Sequence, residues 1–347
     1  DLYPDQPISQ LPWLSALWLV QGRAQATPAE SAAERRQRHA WTGLREALTK
    51  ADALYPADRV MVCHEELIDL VEQRRPDQGW CLDLHDVNDD LEPSLPARYD
   101  WVLATSPEDL ALLRHPRRLL IANGASIGGA CQPSSARPPR LLFVGNGRYP
   151  PNREGLRNFL AQAWPPIKAA LPDAQLQVAG MDPATCRTIC PDHGPDLVAL
   201  GNCADLAALY RQCSLTINPL TEIRGSALKV AESLAAGRVC VSTESGARGF
   251  DERPAGLVRV ATVSEMTDPI LQLLVDDRRR WQLEQPDPAL LRQWSWSTQA
   301  ARLGTALDSP PGTAKGYESG IQPEAPLMYS AEVASGEGLG STLRTDC

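Results

Sequence analysis

Between residues 59 and 260, apolar runs of four to six residues alternate with stretches that repeat apolar residues at helical spacing. This alternation is the strongest constraint on the fold. A short run that is apolar on both faces is stable as a strand of a parallel sheet whose faces are covered by helices. The expected fold class is therefore α/β. The runs place strands at 59–63, 80–84, 101–105 and 118–122 in the first half, and at 140–144, 175–179, 197–200, 215–218, 239–242 and 257–260 in the second. The latter six suit one doubly wound sheet.

A chain of 347 residues has room for roughly two domains at about 150 residues each. The Pro- and Ser-containing segment CQPSSARPPR at 131–140 has the composition of a linker. The expected units are a first domain at 1–130, a linker at 131–139, a second domain at 140–307 and a disordered tail at 308–347, where large apolar residues are few. Only 58 residues precede the first strong strand run; they offer a possible strand at 16–20 and a helical stretch at about 28–53. The first domain is thus expected to be reduced or truncated. In the second domain Asp205 stands at an N-cap position, followed by Leu206, Leu209, Tyr210 and Cys213 at helical period. A further helix is expected at 226–236, with Leu228, Ala231 and Ala235 inward and Gly237 as its C-terminal cap.

The net charge of −9 offers no global attraction for nucleic acid or anionic lipid. The apolar run at 11–20 is interrupted by Pro12 and is too short to cross a bilayer, which leaves peripheral membrane contact open. Nine cysteines, an odd and scattered set, point to a reducing cytoplasm rather than a disulfide framework. Cys186, Cys190, His193 and Cys203 have the donor types of a zinc site, but without a CxxC pair they read as packing residues. No metal is expected.

Ligands of open parallel sheets bind at the strand carboxyl ends, where loops and helix N-termini converge. Two loops qualify. Gly145-Asn146-Gly147-Arg148 follows the strand at 140–144, and its glycines let backbone approach a ligand while Arg148 and Arg153 add charge. Its lack of a third glycine argues against a dinucleotide fingerprint, and a tight turn with solvated arginines is the plainer alternative. The second loop, at 219–226, ends in Arg224-Gly225-Ser226 before a helix that carries Lys229 and Glu232. Backbone amides and two cations suit a diphosphate, and a carboxylate one turn on suits ribose hydroxyls. A surface Lys229–Glu232 pair is the other reading.

The runs LLFVGNGRYPPNREGLRNFL, LPDAQLQVAG, VALGNCADLAALYRQCSLTINPL and RGSALKVAESLAAGRVCVSTESGARGF, in this order, resemble the C-terminal domain of family 4 glycosyltransferases of GT-B architecture. Upstream, DWVLATSPEDLALL and LLIANGAS, and downstream WSWSTQAARL, resemble flanking segments of that family, the last forming a helix that returns to the first domain. The resemblance implies two Rossmann-like domains with a cleft between them, and retaining hexosyl transfer from a nucleotide diphosphate sugar to a glycan, lipid-linked or small-molecule acceptor. It implies no metal or other cofactor, since basic groups and helix N-termini would stabilise the departing diphosphate. By position, Gly145, Asn146 and Arg148 would line the phosphates, Leu200 and Gly201 the base, Arg224, Gly225, Ser226 and Lys229 the diphosphate, and Glu232 the ribose. His85, followed by Asp86, resembles the family's catalytic histidine pair. His64 and Asp86 are the acceptor-side residues it suggests. The family's first glutamate, eight positions before Glu232, is replaced by Arg224, and Glu222 is out of register with it. A catalytically silent GT-B protein that binds a nucleotide sugar or a partner enzyme is the competing reading.

Overall fold

The computed structural model describes residues 42–88, 91–125, 133–134, 137–191, 194–250, 254–285 and 288–308. The expected strand at 16–20, His193, most of the linker and the tail beyond 308 lie outside these residues. Helix α1 (Thr42–Leu54) leads into strands β1 (Arg59–Cys63), β2 (Gly79–Leu84) and β3 (Trp101–Ala104), helix α2 (Pro107–Leu112) and strand β4 (Arg118–Leu120). These strands form a parallel four-stranded sheet in the order β1-β2-β3-β4.

The second sheet is built from β5 (Arg140–Val144), α3 (Pro150–Gln162), α4 (Trp164–Ala170), β6 (Gln175–Ala179), α5 (Pro183–Ile189), β7 (Leu197–Gly201) and α6 (Leu206–Gln212). It continues through β8 (Leu215–Asn218), α7 (Leu228–Ala235), β9 (Cys240–Thr243) and β10 (Leu257–Val260). Its six parallel strands run β10-β9-β8-β5-β6-β7. The order reverses between β5 and β8, so the loops that leave these two strands diverge and open a crevice between them.

The ten strands expected between residues 59 and 260 all form, with ends moved by at most two residues. The central strand β5 is apolar on both faces, with Leu141, Leu142 and Phe143 all 0% exposed, whereas β6 and β8 alternate, and their Leu176, Val178, Leu215 and Ile217 are at most 2% exposed. Each such side chain contributes roughly 1.5–3 kcal/mol. Asp205 caps α6 as expected, accepting a hydrogen bond from the Ala208 amide at 2.9 Å. Gly237, just past α7, adopts φ 65°, the left-handed cap that glycine allows.

Helix α7 departs from expectation. It begins at Leu228 rather than Ser226, because Ser226 bonds to Asn123, its Oγ and carbonyl each accepting at 3.3 Å, instead of capping the helix. Its buried face is Val230, Ala231, Leu234 and Ala235, and Leu228 is 38% exposed.

The linker is anchored at Ser134, whose amide donates to Glu284 Oε2 at 2.9 Å and whose Oγ accepts from Arg280 Nε at 2.6 Å. Beyond β10, the chain forms α8 (Thr267–Val275), α9 (Asp277–Leu283), α10 (Pro288–Gln293) and α11 (Trp296–Asp308). Leu303, Ala306 and Leu307 of α11 pack against Cys81, Trp101 and Leu103 of the first sheet. The closing helix therefore returns to the first domain.

Candidate functional site

Three glycines sit together at the carboxyl ends of β5, β6 and β7. The Gly145 amide donates to Ala179 O at 2.9 Å, the Gly147 amide to Gly180 O at 3.1 Å, and the Gly180 amide to Gly201 O at 2.7 Å. Gly180 has φ 89°, and a Cβ there would lie 2.6 Å from Gly145 O, so this approach requires glycine. Leu200 and Gly201 thus end the strand on the far side of β6, with Gly180 between them and Gly145 and Asn146. Asn146 is exposed, its Oδ1 accepting from the Arg148 amide at 2.9 Å. The Arg148 side chain is exposed.

Asn152, which the sequence reading did not single out, joins the two loops. Pro150 and Pro151 start α3 and set Asn152 in its first turn, 5% exposed. Its Nδ2 donates to Asn146 O at 3.0 Å, and its Oδ1 accepts from Lys229 Nζ at 2.7 Å. A Cβ on Gly145 would come within 2.8 Å of this amide. The Lys229 ammonium also lies 5.4 Å from the Phe143 ring. Burial lowers it to about 8, against smaller opposing effects of Cys240 and Glu232.

Lys229 and Glu232 were expected on an exposed face; both are instead half-buried. They do not pair with each other. Glu232 accepts from Tyr210 OH at 2.9 Å, and burial raises its carboxyl while the Tyr210 hydrogen bond and Lys229 oppose the rise.

Arg224, Gly225 and Ser226 face the first domain. Arg224 Nη1 donates to Val87 O at 2.6 Å, and the Gly225 amide donates to Asp109 Oδ2 at 2.7 Å. Asp109, fully buried, also accepts from Arg248. Gly225 has φ 68°, and a Cβ would lie 2.4 Å from His85 O. The second loop and the His85 segment therefore meet at backbone distance. Asp86 is exposed beside them, its Oδ1 2.8 Å from that same Cβ position.

His85 stacks on the exposed ring of His64 at 4.6 Å between centroids. Its Nε2 lies 3.3 Å from Asp83 Oδ2. Hydrogen bonding to Asp83, then to Cys63, raises the imidazole well above its usual range, against desolvation. His64 itself has φ 73°, a costly conformation for a side chain of this kind. Tyr149, at the start of α3, lies where both Asp86 and Arg224 act on it: burial and Asp86 raise its hydroxyl, and Arg224 opposes. It was also missed from sequence, and its hydroxyl lies within electrostatic reach of Asp86 and Arg224.

Residues 138–276 match the family model described as glycosyl transferases group 1. Over this segment the chain is similar to that family. The matched segment spans β5 to α8 and holds both loops of the crevice. A search of curated proteins finds no match. Among solved structures, sucrose-phosphate synthase from Thermosynechococcus elongatus is similar at 17% identity and TM-score 0.63, with 82% of each chain covered. The α,α-trehalose 6-phosphate synthase from Burkholderia multivorans aligns at 15% identity and TM-score 0.61, over 80% of this chain and 79% of that one. HepE of Anabaena, in complex with UDP and glucose, aligns at 12% and TM-score 0.60, over 77% and 82%. These likenesses extend beyond the matched segment to the first sheet, so the architecture is GT-B throughout the described residues.

Proposed function

We propose that the protein transfers a hexosyl group from a nucleotide diphosphate sugar, of the UDP class, to a glycan, lipid-linked or small-molecule acceptor, with retention of configuration and without a metal at the diphosphate. The observation that carries this reading is the Lys229 ammonium. It is drawn out of water at the crevice between β5 and β8 and bonded to one neutral amide. No carboxylate lies within ion-pair distance of it among the described residues. An ammonium has three donors, and diphosphate oxygens would complete its shell. Glycines 145, 180 and 201 let such a ligand approach the backbone, and Glu232 is one helical turn away for the ribose. His85 and Asp86, on the facing side, are assigned to the acceptor and reaction side of the cleft, with His64 beside them.

Calorimetric titration with UDP-, GDP-, ADP- and dTDP-sugars tests the proposal, followed by a donor-hydrolysis assay with the tightest binder. Binding with slow hydrolysis is expected. A second reading, a silent GT-B protein, draws on the seam at Asp109, where a protein carboxylate already occupies the Gly225 amide and Arg248. Tight donor binding with neither hydrolysis nor transfer favours that second reading. Absence of binding to any donor by the folded chain overturns the transferase reading.

A further inference from the structure

In the first sheet, β1 and β2 are in register with Cys63 opposite Asp83. His85 follows Asp83 by two positions, so the strand alternation returns its side chain to the same face. The result is a sulfur, a carboxylate oxygen and an imidazole nitrogen that all lie within 4.8 Å of one another. The separations are 4.0 Å from Cys63 Sγ to Asp83 Oδ2 and 3.3 Å from Asp83 Oδ2 to His85 Nε2. Tetrahedral zinc with ordinary bond lengths sets its ligands about 3.6 Å apart for S and O and about 3.4 Å apart for O and N. The three groups are half-buried, which leaves a face for a fourth, exchangeable ligand. Cys186, Cys190 and Cys203, the set weighed from sequence, do not gather in this way among the described residues.

We propose that Cys63, Asp83 and His85 form a binding site for a zinc-type divalent transition-metal ion at the first-domain side of the cleft. One thiolate, one imidazole and one carboxylate match the donor preferences of zinc and cobalt(II) and not those of magnesium or calcium, which take oxygen shells. The ion would displace two protons to solvent, one from the Cys63 thiol and one from the His85 Nε2 that now bonds to Asp83, and would take the sulfur, the carboxylate oxygen and Nε2 as ligands. On the reading of His85 as a reaction-side residue, on which this consequence rests, metal occupancy withdraws the imidazole and inhibits transfer.

The test uses Co2+ alone, added to the full chain under reducing conditions and followed by absorption. A thiolate-to-cobalt charge-transfer band in the near ultraviolet is expected, saturating at one equivalent and displaced by Zn2+. Cys63→Ser removes the band and His85→Ala weakens Co2+ binding by roughly tenfold or more, as loss of one of three protein ligands requires. UDP titration of Cys63→Ser, which lies outside the donor crevice, gives the wild-type affinity and separates failure of the metal site from failure of the donor reading. A full-strength band in Cys63→Ser, or no band in the folded wild-type chain at excess Co2+, overturns the proposal.

Discussion

Arg280 and Lys229 are both cations drawn out of solvent in the second half of the chain, and their surroundings differ in kind. Arg280 is fully buried, and its guanidinium is satisfied by the protein: Nε on Ser134 Oγ at 2.6 Å, Nη1 on Leu273 O at 2.6 Å, and Nη2 on Asp277 at 2.7 Å, with Glu284 nearby at 3.8 Å. Lys229 has a single hydrogen bond, to the uncharged side chain of Asn152, and the face of Phe143. A buried cation whose partners are complete is a staple, here holding the linker to α9. One whose partners are incomplete, placed at the carboxyl ends of a parallel sheet, is poised for an anion.

The sharpest way to break this comparison is to remove each cation in turn. Arg280→Met leaves the buried Glu284 carboxylate without its neighbouring cation and Ser134 Oγ without its donor, and is expected to cost about 3–5 kcal/mol of stability, read as a lower urea midpoint. A cost below about 1 kcal/mol would show that Arg280 is not a staple. Lys229→Met is expected to leave the urea midpoint unchanged or higher, because the native chain disfavours the charge it removes. It should weaken UDP binding by about tenfold to a hundredfold, the loss of one charge-assisted contact of about 1.5–3 kcal/mol, read by calorimetry.

pH sharpens the same contrast. The folded chain releases the Lys229 proton near pH 8, whereas an unfolded lysine keeps it to about pH 10.4. Between these values the unfolded state binds more protons, so the Lys229 contribution makes stability rise with pH. UDP affinity moves the other way and falls as the ammonium is lost. Denaturation and calorimetry from pH 7 to 10 should show both slopes, and both should flatten in Lys229→Met. The smallest effect is expected for Glu232→Gln, which keeps an oxygen for Tyr210 OH but removes the charge. A several-fold loss of nucleotide affinity, about 1 kcal/mol, with unchanged stability places the carboxylate on the ligand; unchanged affinity assigns it to Tyr210 alone.

The strand pattern was readable because β5 is apolar on both faces and β6 and β8 keep at least one apolar face at strand period, and the caps at Asp205 and Gly237 were readable because each acts within a few residues of its own helix. Gly145 was identified by its place after a strand end, and Gly201 by the family resemblance. Asn152 was not, since an asparagine in the first turn of a helix is unremarkable until Lys229, 77 residues away, donates to it. Asp109 likewise gave no local sign of its bond to the Gly225 amide, 116 residues distant. The inward face of α7 was misplaced through Leu228 because the helix start depends on what holds Ser226, and that is Asn123 in the loop after β4.

The order of apolar runs and turn residues was sufficient to determine the α/β class, the ten strands and the loops able to meet a phosphate, since each of these follows from local period and backbone freedom. Which loops face each other depended on strand order, and strand order depends on how helices cover both faces of the sheet. Placing β8 beside β5 set Lys229 against Asn152 and away from water, with no carboxylate of the described residues within ion-pair distance.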